Sequence, residues 1–167
     1  GELLSLNKML GSLQDAGNTA TLAGYINLLG ESGMLCGLQK YSIDQARRKA
    51  SIPKFQVYNN ALKMIYNGLT FEQAITDRKA WGPIFESGIG AYLVSRRFEV
   101  FYWRERNDEV DFILRKNKSV VAIEIKSNAE KRTDGLEKFK GLFNPTTSFI
   151  VGDGGISAKD FLSMDIT

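Results

Sequence analysis

Two runs of apolar, β-branched residues dominate the second half of the chain, "EVDFILRK" (109–116) and "SVVAIEIK" (119–126). Asn117-Lys118 separates them, so the pattern predicts a tight antiparallel hairpin. "FEVFYWRE" (98–105) reads as a strand before it, and "SFIVGD" (148–153) as a last strand. Helical periodicity appears elsewhere. Leu3, Leu6, Met9, Leu10 and Leu13 form the stripe of a first helix. Leu22, Ala23, Ile26 and Leu29 form a second, opened by Asn18-Thr19 and stopped near Gly30 or Gly33. "MLCGLQKY" (34–41) and "PKFQVYN" (53–59) predict paired strands, with the polar, basic "SIDQARRKAS" as the loop between them. "ALKMIYNG" predicts a short helix. "LTFEQAITDRKAW" predicts another, with Thr70 as N-cap and Gln73 three residues on. "PIFESGIGAYLVSRR" follows, with Pro83 suited to the first helical position. "DGLEKFKGLF" is amphipathic. From Pro83 onward the predicted order is helix, three strands, helix, strand.

Strand alternation turns the hairpin into a chemical question, because Asp111, Glu124 and Lys126 lie in the middle of these apolar runs. Alternation groups Glu109, Asp111 and Ile113 on one face, opposite Val110, Phe112 and Leu114. It also groups Glu124 with Lys126. A turn centred on Asn117-Lys118 opposes Asp111 to Glu124 and Glu109 to Lys126. Like charges directly opposite each other are destabilising unless something compensates. A divalent cation or the Lys126 ammonium is the expected compensator, and an ordinary Glu109–Lys126 ion pair on a wet face is the plainer alternative. Glu86 adds a third carboxylate. It lies on the helical line of Ile89 and Leu93, so it is either a ligand or a first-turn acid favoured by the helix dipole.

Composition narrows the chemistry. The chain has 167 residues, a net charge of +3, one cysteine and no histidine. Histidine-based triads, histidine metal sites and thiolate clusters are therefore excluded for this chain alone. No G-x-x-x-x-G-K-[ST] phosphate loop is present, so no nucleotide site is expected. The glycines of "VGDGG" (151–155) read as a plain turn. No apolar run reaches the roughly 18 residues of a membrane span, and no signal peptide is visible, so a cytoplasmic protein without a membrane partner is expected. A start at Gly1 rather than Met suggests a fragment of a longer chain. The mild positive charge suits DNA as a partner. Candidate backbone contacts are Arg47 and Arg48 in the basic loop, Arg104 and Arg106 around the strand end, and Lys131 and Arg132 after the hairpin.

Glu86, Asp111 and Glu124-Ile125-Lys126, in that order and on a helix and two strands, resemble the PD-(D/E)XK nuclease signature. With the flanks "PKFQVYNNAL", "FESGIGAYLVSR" and "VFYWRERNDEVDFILRKNKSVVAIEIKS", nearly the whole chain resembles the C-terminal domain of unknown function that follows the ATPase module of many prokaryotic AAA-type ATPases. The resemblance implies an α/β fold, with a restriction-endonuclease-like αβββαβ core over residues 60–167. A winged-helix-like segment over residues 1–59 would precede it, as the two helices and basic hairpin also suggest. It implies metal-dependent phosphodiester hydrolysis, with Glu86, Asp111, Glu124 and Lys126 catalytic. Asp111 and Glu124 would hold Mg²⁺ or Mn²⁺ with the Ile125 carbonyl, and Glu86 would accept a second cation or a metal-bound water. Lys126 would orient water or stabilise developing charge. The same fold without catalysis, docking DNA or a partner beside an N-terminal ATPase module, is the alternative.

Overall fold

A computed structural model describes residues 2–13, 17–96, 98–128 and 134–166. The fold is mixed α/β, with one seven-stranded sheet in the order β1-β3-β2-β4-β5-β6-β7. Its strands are β1 (Glu2–Leu3), β2 (Leu35–Lys40), β3 (Lys54–Val57), β4 (Glu99–Glu105), β5 (Asp108–Lys116), β6 (Ser119–Lys126) and β7 (Thr147–Gly152). Strands β4, β5 and β6 run antiparallel in succession, and β7 adds parallel to β6. Strands β2 and β3 pair as expected, Leu35 with Val57 through Leu38 with Lys54. This hairpin joins the sheet through a short parallel contact, Gln39 with Phe101 and Lys40 with Tyr102.

The helices are α1 (Leu6–Leu10), α2 (Thr19–Glu31), α3 (Gln45–Lys49), α4 (Asn60–Asn67), α5 (Phe71–Thr76), α6 (Arg78–Ser95), α7 (Asp134–Phe143) and α8 (Ala158–Ser163). Two layers of helix sandwich the sheet. Ile89 and Leu93 of α6 pack with Tyr102, Phe112, Ile123 and Ile125 on one face. Leu136 and Phe139 of α7 pack with Trp103, Val110, Ile113 and Ala122 on the other. Coverage of both faces explains why β5 and β6 read as continuous apolar runs rather than alternating ones. It also buries Tyr102 and Trp103 together, on opposite sides.

Several sequence expectations are corrected. The first predicted helix is divided: residues 2–3 pair with β3 as a short strand, and Ser5 then caps the five-residue α1. The loop expected between β2 and β3 contains α3, because the Asp44 carboxylate accepts from the Ala46 and Arg47 amides and so caps a helical turn. The Thr70–Gln73 capping box forms as expected, yet α5 ends at Thr76. Asp77 is extended there and caps α6, accepting from Lys79 and Ala80. Pro83 is therefore inside α6 and not at its start. Glu86 consequently lies mid-helix, beyond the reach of the N-terminal dipole that is confined to the first turn.

The face assignment in β5 is also corrected. Phe101 of β4 faces Ile113, whereas Trp103 faces Val110. Tyr102 is thus opposed by two residues, Asp111 and Phe112, which is a β-bulge. The bulge shifts the alternation by one position. Val110 and Ile113 share the α7 face, while Phe112 and Leu114 share the α6 face. Asp111 is released from the side of Ile113 and turns toward α6.

Candidate functional site

The centre of the acidic site is a residue the sequence did not single out. Lys54, at the start of β3, is 2% exposed. Its Nζ lies 3.1 Å from Glu86 Oε1, 3.1 Å from Glu109 Oε1 and 3.8 Å from Asp111 Oδ1. It also donates to the Asp111 carbonyl at 3.4 Å and stands over the Phe112 ring, 5.3 Å from its centroid. Three elements assemble this point: α6 brings Glu86, the bulged start of β5 brings Glu109 and Asp111, and β3 brings the cation. Glu86 and Glu109 keep 20% and 33% of their side chains exposed, so the cluster opens to solvent on their side and is closed around Lys54.

Burial pushes the Lys54 ammonium down, and Glu86, Asp111 and Glu109 together outweigh it, so its pKa is raised above the ordinary lysine value. Burial pushes the Glu86 carboxyl up. The positive charge around it, Lys54 foremost, overrides burial and holds it at about 2. Both partners are thus held in their charged forms.

Next to Lys54 on the same side of β3, Gln56 is buried and donates from Nε2 to the Ser87 and Val57 carbonyls, each at 2.9 Å. Gly90 of α6 makes that approach possible. A Cβ there would collide with Gln56 Oε1 and come within 2.7 Å of Phe112 Cζ. Lys54 and Gln56 therefore form a polar edge by which β3 meets α6 and β5.

The sequence-derived quartet is only partly brought together. Glu86 and Asp111 meet at Lys54. The β5–β6 register runs from Lys116–Ser119 to Phe112–Ile123, centred where expected. Beyond it the Asp111 Oδ2 accepts from the Ile125 amide at 2.7 Å. Glu124 is 3% exposed and follows Ala122 in alternation, which puts it toward the α7 side. Lys126 is half-buried at the end of β6, and its side chain makes no hydrogen bond or ion pair among the described residues. Glu109 pairs with Lys54 rather than with Lys126. Among the described residues, no group of three or more His, Cys, Asp or Glu side chains is placed to hold a metal ion.

The basic candidates divide by location. Arg104 is exposed and opposite Glu109 in the β4–β5 pairing, so it borders the acidic cluster. Arg106 is exposed in the following turn at φ 56. Arg47 pairs with Asp44 inside α3 at 3.6 Å, and Arg48 stacks 5.6 Å from the Phe101 ring centroid, on the α7 face. Neither is paired with the acids around Lys54 among the described residues. Lys131 and Arg132 lie outside the described residues.

The missed residue left a weak trace. Lys54 and Gln56 are two polar residues at strand spacing in "PKFQV", and either parity is compatible with a half-buried strand. The structure buries Lys54 and Gln56 more deeply than Phe55 and Val57, because acids on α6 and β5 receive Lys54 and backbone carbonyls receive Gln56.

No helix among the described residues is long and apolar enough to cross a membrane. A family model described as "Domain of unknown function (DUF4143)" matches residues 81–159. That span contains Glu86, Glu109, Asp111, Glu124 and Lys126, and begins after Lys54. No curated protein and no solved structure matches the chain.

Proposed function

We propose that this chain is a nucleic-acid docking module with a nuclease-type core, tethered to an ATPase module, and that it binds without divalent-cation chemistry. The order α6, β4, β5, β6, α7, β7 supports the nuclease-type core. The observation that carries the metal-free reading is the direction taken by Asp111. Hydrolysis of the kind the signature implies needs Asp111 and Glu124 on one cation. Asp111 meets Lys54 and the Ile125 amide, and the alternation of β6, with Ile123 and Ile125 on the α6 face and Ala122 on the other, supports a Glu124 directed toward α7. The oxygens that do converge, from Glu86, Glu109 and Asp111, surround the Lys54 ammonium, which stands at the point Mg²⁺ or Mn²⁺ would need. Arg104 and Arg106, exposed at the β4–β5 turn beside the cluster, are the phosphate contacts of this reading.

Fluorescence anisotropy with labelled duplex DNA, single-stranded DNA and RNA tests it, run in EDTA and in Mn²⁺ and followed by gel analysis of the oligonucleotides. The expected result is the same affinity in both solutions, no products, and weakening with salt as counterions are released. The double variant Arg104→Ala, Arg106→Ala should weaken binding and lower the salt slope by about 1 per lost phosphate contact. Products formed in Mn²⁺ and absent in EDTA would establish the hydrolytic alternative. Absence of binding to every oligonucleotide would remove the docking reading.

A further inference from the structure

We infer that Lys54 is a built-in counter-cation: its ammonium takes the place of a divalent ion among Glu86, Glu109 and Asp111, and thereby locks the β2–β3 hairpin onto α6 and β5. The inference deepens the metal-free reading and rests on it. Three carboxylates from two elements converge on one Nζ, at 3.1, 3.1 and 3.8 Å. Without a cation their mutual repulsion would drive α6 and the start of β5 apart. The ammonium shared by these three carboxylates is that of β3, not that of Lys126, the lysine of the signature. All three acids lie within the span matched by the family model, and Lys54 lies outside it. The hairpin thus contributes a charge that the 81–159 stretch does not contain.

A tethered ammonium is a strong competitor for this position. It is attached to the fold, so its effective concentration is high and no free ion has to be recruited. It is closed from solvent and stands over the face of Phe112, which favours a cation electrostatically. A divalent ion would have to expel this charge from its three carboxylates into a buried environment. That displacement carries the desolvation penalty of an unpaired buried ammonium.

Thermal melting and Mn²⁺ titration of the whole 167-residue chain test the inference. Wild-type protein should melt at the same temperature in EDTA and in millimolar Mn²⁺, and the electron paramagnetic resonance signal of free Mn²⁺ should not diminish on adding it. Lys54→Met should lower Tm by roughly 10 °C. Adding Glu86→Gln to Lys54→Met should recover part of that loss, because it removes one of the charges left uncompensated. A Lys54→Met chain that folds only with Glu86→Gln present supports the inference in the same way. Mn²⁺ that raises the wild-type Tm or is bound by wild-type protein overturns it, as does a Lys54→Met variant that melts with wild type. Mn²⁺-sensitive melting beside metal-independent oligonucleotide binding would sink this inference and leave the docking reading standing. Loss of oligonucleotide binding with Mn²⁺-insensitive melting would do the reverse.

Discussion

Between α6 and β7 the buried side chains are overwhelmingly apolar, with Phe112, Ile113, Ile123 and Phe139 fully enclosed. In residues 2–67 the buried side chains among those described are Leu22, Leu38, Lys54 and Gln56. Half of that second set is polar, and both polar members point from β3 into the neighbouring region. The larger region is held by non-directional burial, in which each enclosed aliphatic or aromatic side chain contributes roughly 1.5–3 kcal/mol. The smaller one shares that core through Leu38 and adds directional contacts at Lys54 and Gln56 that work only if every partner is in place. A hydrophobic core tolerates small errors of position, whereas a buried ammonium with a missing carboxylate does not.

The comparison can be broken most severely from the apolar side. Phe112 is fully buried and also forms the ring beneath Lys54. Phe112→Ala should cost about 3–5 kcal/mol in urea unfolding, and should weaken both regions together.

Acid should act next, through the polar attachment. The folded pKa of Glu86 is about 2 against a reference of 4.5, so the unfolded chain binds more protons between these values. Its contribution is complete above the unfolded pKa and is lost as pH falls from there toward the folded one. Allowing for partial exposure, that loss amounts to roughly 2–3 kcal/mol. Lys54 is raised above 10.5, so its contribution is complete below that value and disappears only as pH climbs through the folded pKa. Urea midpoints across pH should therefore show an acid limb for Glu86, and Glu86→Gln should flatten it.

A smaller effect is expected at Gly90. Gly90→Ala forces Gln56 and Phe112 to move and should cost about 1–3 kcal/mol, measured by the shift of the urea midpoint. The smallest belongs to a surface pair. Arg115 donates to Glu99 at 2.7 and 2.8 Å, but Glu99 is largely exposed. Glu99→Gln should cost under about 1 kcal/mol and respond to salt.

These differences explain what was legible beforehand. The strands from 98 to 126, the hairpin centre at Asn117-Lys118 and the helix before them were written in hydrophobic runs long enough to survive ambiguity. The Glu86 stripe with Ile89 and Leu93 was equally clear. The bulge at Asp111-Phe112 was not, because a one-residue shift of alternation leaves a continuous apolar run unchanged in composition. The start of α6 was misplaced because Pro83 imitates a first-turn proline, while the cap that decides the start is Asp77. Lys54 was hidden for another reason: its partners are far away in sequence, and a lone lysine in a short strand carries no periodic signal.

Hydrogen exchange on Lys54→Met tests most directly whether the polar lock holds the hairpin to the core. If Lys54 is the attachment, the amides of β3, with β2 beside them, should exchange much faster than in wild type. Those of β5 and β6 should keep most of their protection, because local opening follows the contacts that were lost. Unchanged exchange in β3, or an equal loss of protection in β3, β5 and β6, would contradict the account.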